Sequence, residues 1–387
     1  MINCTRLLCG KLGLQDEIRY KKGKPADTNR PIVVWNSTRR CNLKCIHCYI
    51  DAKRTQDVGE LTKEEAKALI DDLAQFGAPV FLFSGGEPFI REDLFELGKH
   101  AKDKGLRTVI STNGTLITDD MAKKVKDAGF SYVGISLDGL EATNDKFREQ
   151  KGAFKKTLEG IRNCLKNNVR VGLRFTINKH NFKDVAGIFD LIDGEGIPRA
   201  CFYHLVYSGR GSEMIKDDLD HKEARDAIDL IFERSRKLCA KDKDVEILTV
   251  DNHTDGVYLY LKLRKEDPKR AEEVLELLKI NGGNKSGIGI ADIDNLGNVH
   301  PDQFWRGYTF GNVKERKFSE IWMDEGNELL RNLRNRLPLL KGKCGICHFQ
   351  DICAGNFRAR AEAFYGDTWQ EDPACYLTKD EVLTVRQ

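Results

Sequence analysis

Between residue 31 and about residue 206 the chain alternates short β-rich runs with patterned helical stretches. The runs are IVVWNS (32–37), VFLFSG (80–85), RTVIST (107–112), YVGISL (132–137), VGLRFTI (171–177) and CFYHLVY (201–207). Helices are expected between them near 62–76, 91–104, 118–128, 152–168 and 181–193. Thr62 with Glu65, and Thr118 with Asp119 and Asp120, supply helix caps and acidic first turns. Repeated βα units build a parallel sheet with its helices outside. Six strands are too few to close an eight-stranded barrel. The expected fold is therefore α/β, a partial, open (β/α)6 barrel over residues 31–235. Residues 1–30 are expected as an N-terminal segment, 236–281 as a helical linker and 282–387 as a small C-terminal domain. That domain should hold a hairpin turning at Leu296-Gly297-Asn298 and a helix near 318–335.

With 387 residues, 40% of them hydrophobic, the chain can bury a sizeable core. Lys plus Arg (63) nearly balance Asp plus Glu (60), and a net charge of +3 makes no case for a nucleic-acid partner. No run of 18 apolar residues suggests a membrane span, and MINCTRLLCGKLG lacks the apolar core of a signal peptide. A cytoplasmic protein is the expectation. There metal ligation outranks a disulfide framework for the 12 cysteines. Cys4, Cys9, Cys164, Cys201 and Cys239 are scattered and read as buried apolar side chains or free thiols. The other seven fall into two groups.

Polar or glycine-rich signals follow most of the runs: TRRCNLKC, SGGEP, STNG, SLDG and YSGRG. In α/β barrels the chemistry belongs at this carboxyl edge. Cys41, Cys45 and Cys48 have the spacing C-x3-C-x2-C directly after the first run. Zinc sites usually pair C-x2-C units and use four ligands. Three thiolates on one loop suit an iron–sulfur cubane with one iron left open. This loop, with SGGEP after the second strand, resembles the radical SAM superfamily over residues 31 to about 210. The resemblance implies a [4Fe–4S] cluster that cleaves S-adenosylmethionine (SAM) to a 5′-deoxyadenosyl radical. It further implies that Gly85, Gly86, Glu87 and Pro88 bind the methionine amino group, with Glu87 facing the ammonium. Ser111, Asn113, Ser136 and Asp138 would contact the methionine carboxylate or ribose. His47 stands where the family places a residue whose backbone touches adenine. Arg148 matches an arginine common in the subgroup, and reads otherwise as a surface ion pair.

The second group is Cys344, Cys347 and Cys353, spaced C-x2-C-x5-C, with Cys375 further on. Four thiolates can ligate a second [4Fe–4S] cluster, and a four-cysteine zinc site is the alternative. The group resembles the C-terminal SPASM extension of radical SAM enzymes, which usually holds two auxiliary clusters. Asp302 and Phe357 stand where further cysteines would be expected, so one auxiliary cluster is expected.

The segments RPIVVWNSTRRCNLKCIHCY, HLVYSGRG and CHFQDICAGNFRARAEAFYGDTWQEDPACY resemble the family that trims side chains of sirohaem-derived tetrapyrroles. Among those enzymes the resemblance points to 12,18-didecarboxysiroheme deacetylation, in which acetate side chains are removed to give iron-coproporphyrin III. It implies an iron-containing tetrapyrrole substrate and a low-potential donor such as ferredoxin or flavodoxin. Arginines suit a polycarboxylate ligand, and Arg174, Arg210, Arg306, Arg358 and Arg360 are candidates. Tyr203 and Tyr207 are candidate cavity residues, and His204 or His300 candidate ligands of the substrate iron. A haem d1-type enzyme remains the near alternative. A SPASM peptide maturase would need a recognition domain before the barrel, for which the residues before Pro31 are too few.

Overall fold

The structure, a computed structural model, describes residues 1–10, 16, 20 and 30–384. The rest of the expected N-terminal segment lies outside the described residues. The strands are β1 (Ile2–Asn3), β2 (Ile32–Asn36), β3 (Phe81–Ser84), β4 (Thr108–Thr112), β5 (Val133–Ser136), β6 (Val171–Ile177), β7 (Arg199–His204), β8 (Glu246–Val250), β9 (Ile290–Ile293), β10 (Asn298–His300) and β11 (Gly311–Asn312). They form one open sheet in the order β1-β8-β7-β6-β5-β4-β3-β2-β9-β10-β11. Strands β2 to β8 run parallel in sequence order, each joined to the next by a helical crossover. The runs are continuously apolar because a parallel sheet under helices is buried on both faces.

The six expected strands are all present, and the helices between them start where the caps place them. Thr62 and Glu65 make a reciprocal capping box (Glu65 N to Thr62 Oγ1 3.2 Å, Thr62 N to Glu65 Oε2 2.8 Å). Trp35, Phe81, Phe83 and Phe130 continue as a chain of ring contacts at 5.9, 4.8 and 5.5 Å through the core. The sheet is larger than expected. The segment expected as a helical linker, 236–281, contains β8, which pairs with β7 and carries β1 antiparallel on its outer side. Its EILTV run is β-branched and apolar, but short and flanked by long helical patterns. On the other side β9 pairs parallel with β2, so the C-terminal domain continues the sheet. The hairpin at 294–297 joins β9 to β10 as expected. The expected helix near 318–335 is two, Phe318–Trp322 and Glu328–Arg334, broken across Asp324-Glu325-Gly326. Cys9 and Cys239, expected as free thiols or apolar fillers, are joined as a disulfide between the first helix and the helix His221–Ala240.

The C-terminal part of the chain is pinned to the barrel by Arg360, whose guanidinium also sits in a wholly buried ion pair with Asp372. Arg360 Nε meets Asp372 Oδ1 at 2.8 Å, while its other nitrogens donate to Leu205 O at 2.9 Å and Asp251 O at 2.8 Å. All three guanidinium nitrogens are therefore engaged by protein, and Arg360 is a joint to the barrel rather than a free carboxylate binder. Removing one partner of such a pair leaves the other charge buried. Arg360→Leu should destabilise the chain by about 3–5 kcal/mol, read as a lower urea midpoint.

Candidate active site

The loop after β2 and the turn after β3 are knitted together through backbone. Gly86 N donates to Thr38 O at 2.7 Å, and Glu87 N donates to Arg40 O at 2.9 Å, immediately before Cys41. A Cβ on Gly86 would lie 2.2 Å from Arg40 O, and one on Gly85, whose φ is +123°, 2.5 Å from Thr38 O. Only glycine permits this approach. The far side of the cysteine loop is held by YSGRG. Arg210 N donates to Cys48 O at 3.0 Å, its Nε to Cys45 O at 2.9 Å, and its Nη1 to Asp51 Oδ1 at 2.7 Å. Arg210 borders the cavity and clamps the cysteine loop, while its Nη2 has no hydrogen-bond partner.

One cavity brings together Cys41, Cys45 and Cys48 with His47, Gly85, Gly86, Ser111, Asn113, Ser136, Asp138, Arg148 and Arg174. Tyr203, His204 and Arg210 also line it. The sulfurs receive N–H groups: Leu43 N to Cys41 at 3.4 Å, Arg148 Nη1 to Cys45 at 3.3 Å, Ala52 N to Cys48 at 3.3 Å. Such bonds favour thiolate and tune an iron–sulfur cluster. Without a metal, burial pushes the Cys41 thiol up to about 12. Arg148, read as either a family residue or a surface ion pair, is buried and paired with Asp138. Burial raises the Asp138 carboxyl, but Arg148 and His47 (Nε2 to Oδ2, 3.2 Å) overcome this and hold it down at about 2. Arg174 lies across β5, where Gly134 leaves it room, and donates to Ser111 Oγ at 2.6 Å.

Several expected residues do not reach the cavity. The Glu87 side chain turns away from it and accepts from Thr112 Oγ1 at 2.8 Å, Asn113 N at 2.9 Å and Phe89 N at 3.2 Å. Burial pushes its carboxyl up to about 7, against those same bonds. It is a strut between the SGGEP and STNG turns, and Pro88 is packed beside it. Tyr207 donates to Asp218 Oδ2 at 2.7 Å within an apolar cluster with Phe147 and Met214. Arg358 is spent on Thr368 O, Gln370 O and Gly355 O. Arg306 reaches Ile50 O at 3.2 Å and Asp294 at 3.6 Å. His300 is held by Tyr308 O at 2.6 Å and Asp294 at 3.4 Å, away from the cavity. His204 does border the cavity, but Asp255 holds its Nε2 at 2.9 Å and Asn252 faces Nδ1 at 3.5 Å.

Sequence reasoning missed Asp251, Gln303 and Phe304, which line the same cavity. The signal for Asp251 was present: EILTVDN is one more β-run ending on polar residues.

Cys344, Cys347, Cys353 and Cys375 surround a second, small cavity with Thr254, Val257 and Leu377. Phe349 N donates to Cys347 Sγ at 3.4 Å. Burial pushes the Cys344 thiol up to about 11, and raises Cys353 further with the other three thiols beside it. Ala354, Gly355 and Asn356 are all left-handed, turning the chain sharply after Cys353. Among the described residues, no three Cys, His, Asp or Glu side chains converge closely enough to hold a single ion. Asp302 and Phe357 are buried, Asp302 against Ser286 and Phe357 against Phe304 at 5.7 Å.

Glu87→Ala strands Thr112, Asn113 N and Phe89 N in a closed interior. It should cost about 2–4 kcal/mol of stability and lower the iron bound on reconstitution, measured by urea unfolding and iron assay.

The radical SAM superfamily model matches residues 35–192. The chain is 57% identical over 394 residues to Fe-coproporphyrin III synthase of Methanosarcina barkeri (strain Fusaro / DSM 804), covering 99% of each. It is 44% identical over 370 residues to pre-heme d1 synthase of Dinoroseobacter shibae (strain DSM 16493 / NCIMB 14021 / DFL 12), covering 95% of this chain and 90% of that one. The fold matches Streptococcus suis SuiB bound to S-adenosylmethionine with a TM-score of 0.71, at 17% identity, covering 90% of this chain and 78% of that chain. The full-length likeness and the cysteine loop under its glycine turn agree: the chain belongs to the radical SAM superfamily, in the family of the Fe-coproporphyrin III and pre-heme d1 synthases.

Proposed function

We propose that the protein removes acetate side chains from 12,18-didecarboxysiroheme to give iron-coproporphyrin III. The observation that carries this is the 57% identity, over 99% of both chains, to an Fe-coproporphyrin III synthase. The family uses a [4Fe–4S] cluster and SAM. Cys41, Cys45 and Cys48 would hold the cluster, and the N–H groups aimed at their sulfurs fit that role. When bound, the cluster supplies the electron that cleaves SAM, chemistry no acid–base side chain can replace. The protein's part is binding, orientation and exclusion of water. Gly85 and Gly86 offer bare backbone to the methionine end of SAM. Ser111, Asn113 and Ser136 line the same wall. Asp138, kept ionised by Arg148 and His47, is an acceptor for ribose hydroxyls or the ammonium. Arg174 and Arg210, each with an unpaired guanidinium nitrogen in the cavity lining, would meet substrate carboxylates.

Cys344, Cys347, Cys353 and Cys375 would hold one auxiliary [4Fe–4S] cluster. Four thiolates around one cavity suit such a cluster, and a four-cysteine zinc site is the alternative. A ferredoxin or flavodoxin would supply electrons. Anaerobic reconstitution should give about eight irons per chain, and replacing Cys41, Cys45 and Cys48 together with Ala should remove about half of them and all SAM cleavage. Near four irons with zinc making up the rest would sink the auxiliary cluster.

The deciding assay is anaerobic incubation with reductant, SAM and didecarboxysiroheme, followed by mass spectrometry. Loss of acetate mass with 5′-deoxyadenosine formed is expected. The 44% identity to a pre-heme d1 synthase favours one second reading. A product gaining a double bond or lactone mass instead would establish it.

A further inference from the structure

Two carboxyl groups line the cavity, Asp138 and Asp251. Asp138 is paired with Arg148 and His47 and accepts from Thr176 N. Asp251 is not so paired. It follows β8 with φ at +64°, a left-handed conformation that aspartate tolerates. Contacts from the C-terminal part of the chain hold it there. Arg360 Nη2 donates to Asp251 O at 2.8 Å, Asn252 Nδ2 to Ala374 O at 3.0 Å, and His253 N to Asn356 Oδ1 at 2.7 Å. The Asp251 residue is 8% exposed, and its Oδ2 has no hydrogen-bond partner. Gln303 Oε1, in the same cavity wall, is also buried without a partner. Buried polar atoms are almost always paired. Two orphans in one wall mark a place where a ligand's polar group completes the bonding.

We propose that Asp251 forms a subsite for one carboxylate side chain of the macrocyclic substrate, Asp251 binding it as a neutral acid that donates its proton into the contact, and Gln303 turning its amide to offer Nε2 in place of the unpaired Oε1. This rests on the reading of the substrate as a polycarboxylate tetrapyrrole. The chemistry follows from what faces Asp251. Among the described residues no cation touches its carboxyl: Arg360 is committed to Asp372 and to Asp251's own carbonyl. The amino terminus and His204 act at a distance in its favour, and Asp302 acts against it. Burial outweighs them and pushes the carboxyl up to about 7. An ionised Asp251 would repel a substrate carboxylate, whereas a neutral one makes a short O–H···O⁻ bond to it.

The test is titration of the reconstituted holoenzyme with didecarboxysiroheme, followed by absorbance, at pH about 6 and about 8.5. Asparagine tolerates the left-handed backbone and donates at any pH, so Asp251→Asn keeps the donor without the titration. Iron content equal to wild type verifies that each variant is folded. Affinity of the wild type should fall as pH rises, and that of Asp251→Asn should stay level. Asp251→Ala should bind about tenfold more weakly at the lower pH. Wild-type affinity in Asp251→Ala, or the same pH dependence in wild type and Asp251→Asn, overturns the subsite while leaving the function standing. A wild type that binds no tetrapyrrole overturns the functional reading and the subsite with it.

Discussion

Beneath the cysteine loop the guanidinium of Arg148 is shared between the carboxylate of Asp138 and the sulfur of Cys45, 3.3 Å away. Taking two charges out of water costs several kcal/mol per ion, recovered only when every lone pair and proton is met. Here they are met from four directions. Asp138 follows β5 and accepts from Thr176 N of β6 at 2.8 Å and from His47 of the cysteine loop. Arg148 closes the helix Glu141–Phe147, and Phe147 O in turn accepts from Ile46 N at 3.0 Å. One ion pair thus fixes two strands, a helix and the loop that carries the thiols. Loss of either partner would release the loop, not merely a contact.

On the opposite side of the loop the closest fastening is backbone to backbone. The SGGEP turn reaches the Thr38–Arg40 backbone so closely that a single methyl at Gly86 would stand 2.2 Å from a carbonyl oxygen. Backbone is thereby both the fastening and the exposed surface of the cavity wall. That explains why Glu87 faces inward. With the turn pressed against the loop, its side chain is directed into the gap between β3 and β4, where Thr112 and Asn113 supply donors. The charge the sequence suggested for a ligand is used to hold the two turns together.

The barrel was legible because period and caps agree over each βα unit, as in Thr62 to Phe76. The cysteine loop was legible because its close spacing implies convergence, and Cys375 was placed with Cys344, Cys347 and Cys353 by the resemblance to the SPASM extension. What escaped was long-range. Strand β8 is five residues between helical patterns, and only its pairing with β7 declares it. Arg210 and Arg358 look alike in sequence. Their partners are backbone carbonyls of Cys45 and Ala52, or Gly355 and Thr368, and a carbonyl leaves no trace in the residue string. The Cys9–Cys239 pairing joins positions 230 residues apart, beyond any local signal.

The helix Arg358–Tyr365 connects the two halves of the molecule. Arg358 at its start binds Gly355 O and Thr368 O around the second group of thiols. Arg360, two residues on, reaches the other way to Leu205 O and Asp251 O on the cavity wall. Asn356, in the left-handed turn after Cys353, donates to Asn252 Oδ1 at 2.6 Å. The peptide of Asp251 therefore takes its conformation from the same eight or so residues that shape the second thiol cavity. An interior packed at crystal-like density transmits such displacements rather than absorbing them. A metal group bound by Cys344, Cys347, Cys353 and Cys375 would on this geometry do more than carry charge: by ordering the turn at 354–356, it would set the far wall of the cavity in which the first three cysteines stand.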